Sequence, residues 1–547
     1  MKKSFLLIIA LLINFIAPAQ NKIRLVVGIV VEQMRFDFLT RYWDKYSDDG
    51  FKRLMRQGVV FYNAGYDYLG INSASSYTNI ATGTHPYIHG IIGPEWYDRL
   101  NGKIIDAVKD PETIVVGKKG MELAGSPRRI MAQSFSDQLS LSTLGAAQIV
   151  IIAPQMKTAI LSGGKFADNV LWFDAQTGKW VTSSYYCKST MQLPKWVKDF
   201  NNRNLPRIYL SNTWQTTYPV DKYSESLPDA TITEKGLAGQ TTFPYNLATL
   251  KTKVQNKYQL LEYTPFFNTF TKDLALSAIV YQKVGRDNVP DYLFISFTAN
   301  SNISKVFGIR SVELEDAYIK LDKDIAHLLH TLDDIVGKDN YVLFLTSDRG
   351  SCDNPNFLKN LGLTINYFQS RPSQVLVNTY LRAIYNQPDM VEKIMNNQIY
   401  LNQQVIDRQR IDPLEIQRYT ADLFTQIKAV QLAIPSMLLL NNSFSSDFLY
   451  YAYHSYYPGR SGDIIFTLTS NSFLETEDNR LPSFSECYCH DNNANHLPLI
   501  FYGSGIKHRE VFRHVDITSI APTLSVLLGL QLPANATAPV LTEVVEK

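Results

Sequence analysis

Continuous apolar runs separated by helix-like stretches constrain the fold of this chain more than any other feature. Six of them are long enough to be buried strands, and they span residues 23–31, 147–154, 291–298, 340–348, 462–469 and 496–503. Strands that are apolar at nearly every position are buried on both faces, as in a parallel sheet covered by helices. The sequence therefore predicts an α/β fold with a doubly wound, mostly parallel sheet.

Two long stretches interrupt the series of predicted strands. Residues 166–285 are rich in Tyr, Trp, Asn and Thr, and residues 352–460 mix helix-like segments with aromatic ones. Each stretch leaves the core near the carboxyl end of a strand, the edge at which open α/β sheets hold their ligands. We expect one domain over residues 20–547, with both stretches inserted over that edge.

The amino terminus has the pattern of a secretory signal peptide. MKKSFLLIIALLINFIAPAQ combines two lysines, an apolar run and a small-x-small ending, which predicts a signal peptide over residues 1–19. The run is shorter than the roughly 20 residues that a membrane span requires, so we expect no stable membrane insertion. The sequence thus predicts a periplasmic, cell-surface or secreted protein.

The net charge and the cysteine content bear on the partners and on the disulfide bonds of the protein. The formal net charge of +2 gives no argument for nucleic acid as a partner. Four cysteines in an exported chain allow two disulfides, and the sequence leaves both free thiols and long-range pairing open.

Several segments resemble a known family. They are VVGIVVEQMRFDF, IATGTHPYIHGIIGPEWYD, WFDAQTGKWVTSSYY, AYIKLDKDIAHLLHTLDDIVGKDNYVLFLTSDRG and NHLPLIFYGSGI. Together, and in this order, they resemble the secreted alkaline phosphatases of the phosphate-irrepressible type, within the alkaline phosphatase superfamily. The resemblance implies that family's fold and a site in which two zinc ions clamp a phosphate while a hydroxyl attacks it.

By this resemblance, seven positions correspond to the metal ligands and the nucleophile: Glu32, Ser73, Ser301, Lys305, Asp348, Arg349 and His496. Ser73 keeps a hydroxyl where the family has its nucleophilic threonine. Asp348 and His496 keep the family's ligands, and Glu32 replaces an aspartate with a longer carboxylate. The other three ligands are lost, so Glu32, Asp348 and His496 are expected to be remnants of a metal site.

The positions implied to contact phosphate are altered as well. Pro94 stands where the family has an asparagine, and proline offers no donor. Gln155 and Lys157 stand where it has a lysine and an arginine. Lys157 keeps a positive charge without the two-pronged guanidinium group.

The lost ligands also change the charge of the site. Arg349 has no lone pair to give a metal, and Lys305 could ligate one only if burial lowered its pKa by several units. Glu32 and Asp348 carry two negative charges that Lys305 and Arg349 can balance, as buried carboxylates require. We therefore expect these two cations to replace zinc, and no cofactor.

These substitutions predict a catalytically degenerate protein that acts as a binding or scaffold module in the cell envelope. Its partner would be an unidentified protein or glycan, and the protein by itself would be a monomer. The alternative is an active phosphate mono- or diester hydrolase with a rebuilt or single-metal site, in which zinc would be the cofactor. Ser73 would then be the nucleophile, and Lys157, Lys305 and Arg349 would hold the phosphate, although the sequence shows no evident base for Ser73.

A relocated metal site is a further possibility, carried by the ligand-rich segment CYCHDNNANH at residues 487–496. Its C-x-C-H spacing differs from the spacing usual in zinc sites. A loop that carries a disulfide or free thiols explains the same segment.

Overall fold

A large sheet forms the centre of the protein, described in this computed structural model for residues 23–187, 190–231, 234–440, 444, 447–474 and 492–546. The strands of the described residues are β1 (Leu25–Val31), β2 (Val59–Gly65), β3 (Glu95–Asp98), β4 (Lys103–Asp106), β5 (Lys109–Val116), β6 (Leu123–Gly125), β7 (Ile149–Ile152), β8 (Asn169–Asp174), β9 (Lys179–Ser183), β10 (Thr213–Trp214), β11 (Tyr245–Asn246), β12 (Asp291–Phe297), β13 (Tyr341–Thr346), β14 (Asn366–Phe368), β15 (Val391–Met395), β16 (Gln398–Leu401), β17 (Val430–Pro435), β18 (Ile464–Leu468), β19 (Ser472–Leu474), β20 (Leu497–Gly503), β21 (Arg509–Val511) and β22 (Val515–Asp516). Twelve of these strands form the large sheet, in the order β21-β2-β20-β13-β1-β12-β7-β8-β9-β5-β6, with β22 beside β2.

The middle of this sheet is parallel. Strand β1 lies between β12 and β13 and is parallel to both, and β12, β7 and β8 continue the same direction. All residues of β1 are buried. Leu25 and Val27 contribute to the apolar core on one face, whereas Val26 and Val30 contribute to the core on the other. The predicted α/β fold with a mostly parallel sheet buried on both faces is confirmed.

Two of the six predicted strands differ from a simple parallel arrangement. Strand β20 belongs to the large sheet but runs antiparallel to both β13 and β2. The run at residues 462–469 forms β18, which lies in a separate four-stranded sheet, β15-β16-β18-β17. An apolar run has the same composition in either direction and in either sheet, so the sequence pattern alone could not decide these points.

Helices cover both faces of the large sheet and build much of the inserted stretches. They are α1 (Asp37–Arg41), α2 (Phe51–Gln57), α3 (Ser73–Thr82), α4 (Pro86–His89), α5 (Phe135–Ser142), α6 (Met156–Gly163), α7 (Lys195–Asn202), α8 (Leu205–Tyr209), α9 (Leu247–Leu250), α10 (Lys257–Leu261), α11 (Phe266–Ser277), α12 (Ala299–Phe307), α13 (Val312–Leu332), α14 (Pro355–Asn360), α15 (Ser370–Tyr385), α16 (Gln403–Gln409), α17 (Pro413–Phe424), α18 (Asp447–Ser455), α19 (Asn492–Asn495), α20 (Ile520–Leu527) and α21 (Thr542–Val545).

Helix α3 begins with the predicted nucleophile and has a defined start and end. The side chain of Asn72 accepts a hydrogen bond from the backbone N–H of Ser75, which satisfies one of the free donors of the first turn. The helix ends at Thr82 and is followed by Gly83, whose φ of 71° is in the left-handed region that glycine adopts without strain. These two features fix Ser73 at the first position of a short, buried helix.

The two inserted stretches differ in how they join the core. Strands β8 and β9 lie within residues 166–285 and extend the large sheet. Residues 352–460 contribute most of the four-stranded sheet and its own apolar core. Helix α18 contacts the segment that follows β2, where Ser455 Oγ accepts a hydrogen bond from the backbone N–H of Leu69 at 2.7 Å. The second insertion therefore contacts the segment that leads into α3.

Two of the four cysteines lie in the described residues. Cys187 is buried and free, whereas Cys352 is disulfide-bonded. The predicted signal peptide and Cys487 and Cys489 lie outside the described residues. None of the described helices is both long and apolar enough to cross a bilayer.

One buried acid on α13 makes the stability of the fold depend on pH. The side chain of Glu313 is fully buried and accepts a hydrogen bond from the hydroxyl of Tyr245 at 2.5 Å. Burial raises the pKa of Glu313 to about 8. Because the folded state holds this proton more tightly than the unfolded chain, its contribution to stability is complete below about pH 4 and declines as the pH rises towards 8.

We expect the Glu313→Gln variant to lose this pH dependence, since glutamine does not ionise. Between pH 5 and 8, the wild-type protein should lose up to about 1.4 kcal/mol of unfolding free energy per pH unit relative to the variant. Melting temperatures at matched heating rates measure the difference. Glu95→Gln, at an exposed glutamate, is the control, and identical pH profiles for wild type and Glu313→Gln would contradict the assignment.

Candidate functional site

Two acids lie side by side at the carboxyl edge of the large sheet. Glu32 directly follows β1, and Asp348 follows β13, its neighbour in the sheet. Glu32 is 3% exposed and Asp348 is fully buried. The parallel pairing of β1 with β13 brings the two carboxylates to one place although they are far apart in the sequence.

Asp348 joins the predicted nucleophile to the end of β1. Ser73 Oγ donates a hydrogen bond to Asp348 Oδ2 at 2.6 Å. The other carboxylate oxygen, Oδ1, accepts from the backbone N–H of Gln33 at 2.8 Å. Gln33 has a φ of 58°, the left-handed conformation that non-glycine residues seldom adopt. The chain therefore bends sharply after β1, and the bend turns an amide towards the acid that holds Ser73.

The carboxylate of Glu32 accepts fewer hydrogen bonds than the carboxylate of Asp348. Its Oε2 accepts a hydrogen bond from Ser301 Oγ at 3.1 Å, whereas its Oε1 has no hydrogen-bond donor among the described residues. Burial and, second, the charge of Asp348 raise the pKa of Glu32 to about 7, while the cations Lys305 and Arg349 act in the opposite direction.

Arg349 lies within ion-pair distance of Asp348, and Lys305 acts on Glu32 through its charge. Arg349 is largely buried, and its Nε is 3.9 Å from Asp348 Oδ2. Lys305, near the end of α12, favours the charged forms of both Glu32 and Glu262. Burial raises the pKa of Glu262 to about 7. The site therefore combines a hydroxyl, two neighbouring carboxylates and two side-chain cations.

Two other residues named from the sequence have different surroundings. His496 Nε2 is 2.7 Å from the backbone oxygen of Tyr62, its ring stacks on Phe36, and it has no hydrogen bond or ion pair with either acid. Lys157 Nζ donates to the backbone oxygen of Pro94 at 2.6 Å and lies 3.0 Å from Asp106 Oδ2. The ammonium of Lys157 thus joins α6 to the β3–β4 region, a contact that residue counting could not reveal.

Two residues contribute hydrogen bonds to the site that the sequence did not assign to them. Ser301, counted above as a lost ligand, donates a hydrogen bond to Glu32. Tyr66 Oη donates to the backbone oxygen of Ser347 at 3.1 Å, immediately before Asp348. A tyrosine after an apolar strand has no distinctive pattern, so the only available signal was its position seven residues before the predicted nucleophile.

The residues of this site do not fit a two-zinc centre. Zinc sites in proteins use three or four nitrogen, sulfur or oxygen ligands in a fixed arrangement. Within the part of the chain that the structure describes, no group of three or more His, Cys, Asp or Glu side chains is arranged to hold a metal ion. Arg349 and Lys305 instead bring positive charge to the acids through fixed side chains. The segment at residues 487–491 lies outside the described residues.

Comparisons with known proteins identify the family. A sequence model of the family described as type I phosphodiesterase / nucleotide pyrophosphatase matches residues 26–491. The chain is 33% identical to the alkaline phosphatase PafA of Elizabethkingia meningoseptica, over 95% of this chain and 94% of that protein. It is also 33% identical to a protein of Myroides odoratus named calcium-transporting ATPase, over 96% and 95% of the two chains. The crystal structure of wild-type alkaline phosphatase PafA superimposes with a TM-score of 0.88 at 32% identity and covers 96% of this chain and 99% of that one.

These findings correct the functional prediction made from the sequence. The interpretation as a catalytically degenerate binding or scaffold module is wrong, because the similarity to an alkaline phosphatase extends over nearly the whole chain. That interpretation relied on lost metal ligands and on a missing base. The hydrogen bond from Ser73 to Asp348 provides an acceptor for the hydroxyl proton.

The matched family model, the full-length identity and the shared fold lead to one conclusion. The chain belongs to the type I phosphodiesterase / nucleotide pyrophosphatase family, within the alkaline phosphatase superfamily, and is similar there to the phosphate-irrepressible alkaline phosphatase PafA.

Proposed function

We propose that this protein hydrolyses phosphate mono- or diesters with Ser73 as the nucleophile. The observation that carries the proposal is the 2.6 Å hydrogen bond from Ser73 Oγ to Asp348 Oδ2. A serine hydroxyl is a weak nucleophile until a neighbouring group accepts its proton, and a carboxylate in this position can do so. The similarity to PafA, an alkaline phosphatase, supports the same reaction class.

In the first half of the reaction, Ser73 Oγ attacks phosphorus as its proton passes to Asp348 Oδ2. A bond forms between Oγ and phosphorus, and the bond from phosphorus to the ester oxygen breaks, so the alkoxide leaves with the electron pair and takes a proton from solvent. Water then attacks the phosphoserine and gives up one proton to solvent, while Asp348 returns its proton to Ser73 Oγ. Phosphate or a phosphate monoester is released, and the Ser73 hydroxyl and the Asp348 carboxylate are restored. Arg349 and Lys305 stabilise the negative charge on the transferring phosphoryl oxygens.

We further propose that this site works without a pair of zinc ions. The two cations near Glu32 and Asp348 provide positive charge where metal ions provide it in a two-metal site. A metal ion can also activate a nucleophile by helping it to lose its proton, which a side-chain cation does less well. At this site the carboxylate of Asp348 accepts the proton of Ser73 directly.

Export remains part of the proposal. It is supported by the two lysines, the apolar run and the small residues over residues 1–19. Sequencing the amino terminus of protein recovered from outside the cytoplasm tests it.

Replacement of Ser73 by alanine should lower the turnover of aryl phosphate mono- and diesters by about 1,000-fold or more, because the attacking oxygen is removed. Steady-state kinetics measure the loss, and acid quenching of the wild-type reaction should trap phosphate on Ser73. Ser140→Ala, on α5 and outside the site, is the control. Unchanged turnover in Ser73→Ala would reject Ser73 as the nucleophile.

One arginine variant and one lysine variant test which positive charges act on the phosphate. Arg349→Ala should lower kcat/KM by about 100-fold, because one cation beside the phosphoryl group is lost. Lys157→Ala should change kcat/KM by less than about threefold and lower stability by about 1 kcal/mol, because the lysine is hydrogen-bonded to Pro94 and paired with Asp106. The reverse order of kinetic effects would place the phosphate beside Lys157.

Metal removal tests directly whether Arg349 and Lys305 take the place of zinc ions. We expect purified, active protein to contain much less than one zinc ion per chain and to keep its turnover within about twofold after prolonged treatment with a chelator. Elemental analysis and aryl phosphate hydrolysis measure the two quantities on the same sample. Loss of activity on chelation, with recovery on addition of zinc, would contradict the proposal that the two cations take the place of zinc. It would leave the assignment of Ser73 as the nucleophile unchanged.

A further inference from the structure

The segment that joins β2 to α3 is held at Asp67 by three hydrogen bonds. The backbone N–H of Asp67 donates to Asp516 Oδ2 at 3.2 Å. Its backbone oxygen is 2.8 Å from His454 Nδ1, and its carboxylate Oδ1 is 2.7 Å from His514 Nε2. Both groups of Asp67 are acceptors, so each histidine nitrogen donates. We call Asp67, His454, His514, Asp516 and His85 the Asp67 clasp.

His85 completes the clasp from the amino terminus of α4. Its Nε2 lies 2.9 Å from Asp516 Oδ2, and its ring stacks on that of His454 with centroids 4.2 Å apart and planes at 22°. His85 and His454 are only 4% and 7% exposed. The clasp therefore joins three regions to Asp67: the start of α4 through His85, helix α18 through His454, and the β22 region through His514 and Asp516. These regions are far apart in the sequence.

The residues on either side of Asp67 reach the catalytic site. Tyr66 donates to the backbone oxygen of Ser347, next to Asp348. Tyr68 Oη is 2.9 Å from Ser76 Oγ in the first turn of α3, and it accepts a hydrogen bond from the backbone N–H of Asn72 at 3.4 Å. A displacement of Asp67 would thus be transmitted in one direction to Asp348 and in the other to the start of the helix that carries the nucleophile.

The hydrogen bond from His454 persists over the ordinary pH range. Burial and, second, the neighbouring His85 lower the pKa of His454 to about 4. The ring is therefore neutral near pH 7, and its single N–H lies on Nδ1, because the backbone oxygen of Asp67 can only accept. The carboxylate of Asp67 raises the pKa of His514, whose side chain is more exposed.

We propose that His454 and His514 are positioning residues for Ser73. By holding Asp67, they keep the hydroxyl of Ser73 at hydrogen-bond distance from Asp348, and neither residue contacts the phosphoryl group. His454 lies on α18, so the second insertion helps to determine the geometry of a reaction that takes place on the large sheet. The kinetic part of this inference rests on the proposed hydrolase function, whereas the structural part does not.

A pair of substitutions at His454 separates the hydrogen bond from the stacked ring. Asparagine places an amide N–H near the position of Nδ1 but has no ring, and phenylalanine keeps a ring for stacking on His85 but has no donor. We expect His454→Phe to lower kcat about tenfold with KM changed by less than twofold, because misplacement of a nucleophile slows the chemical step. His454→Asn should keep kcat within about threefold.

Hydrogen exchange provides a readout that does not need activity. Peptides covering residues 66–76 should exchange faster in His454→Phe than in wild type or His454→Asn, and peptides from the β12 region should not change. His508→Phe is the matched control, because His508 Nδ1 also lies 3.0 Å from a backbone oxygen, that of Gly58, outside the clasp. Equal kinetics and equal exchange in the two His454 variants would overturn the proposal.

The two proposals fail in different ways. Wild-type protein without esterase activity would reject the proposed function, and the exchange of residues 66–76 would still decide whether the clasp holds the segment. Active protein in which His454→Phe and His514→Phe exchange and turn over like wild type would reject the clasp alone. His514→Gln, which keeps a donor near the position of Nε2, should behave like wild type in both measurements if the hydrogen bond to Asp67 is what matters.

Discussion

The buried carboxylate of Asp348 is the constraint on which the arrangement of the site depends. It has no exposure to solvent, yet it accepts hydrogen bonds from Ser73 and from the backbone of Gln33 and lies near the guanidinium of Arg349. A buried ionised carboxylate without such partners would be strongly destabilising. The sharp bend after β1, the start of α3 and the turn after β13 therefore meet at one side chain. The requirement to stabilise this charge and the requirement to orient a nucleophile are met by the same contacts.

The relation to PafA shows that the fold is retained although about two thirds of the residues differ. A TM-score of 0.88 shows that the backbone arrangement is retained at 32% identity. Within that backbone, Lys305 and Arg349 carry positive charge near Glu32 and Asp348. Cationic side chains and metal ions satisfy the same electrostatic requirement of buried acids, although they differ in what they can do to a bound water molecule.

The sequence predicted the parts of this protein that local patterns determine. The strands around residues 23–31, 291–298 and 340–348 are apolar at most positions, and the structure places them side by side as β1, β12 and β13. The proximity of Ser73, Glu32 and Asp348 followed from a resemblance to a family and not from periodicity. The hydrogen bond of Lys157 to Pro94 and the contacts of Asp67 depend on residues brought together only by the tertiary fold. No spacing rule relates positions 67, 454 and 514, so these contacts could not be read from the sequence.

The backbone bend at Gln33 limits which residues can replace this glutamine. A residue with φ near 58° is strained if it is β-branched, whereas glycine and asparagine adopt this conformation readily. Replacements at position 33 should therefore favour residues that adopt this backbone conformation without strain.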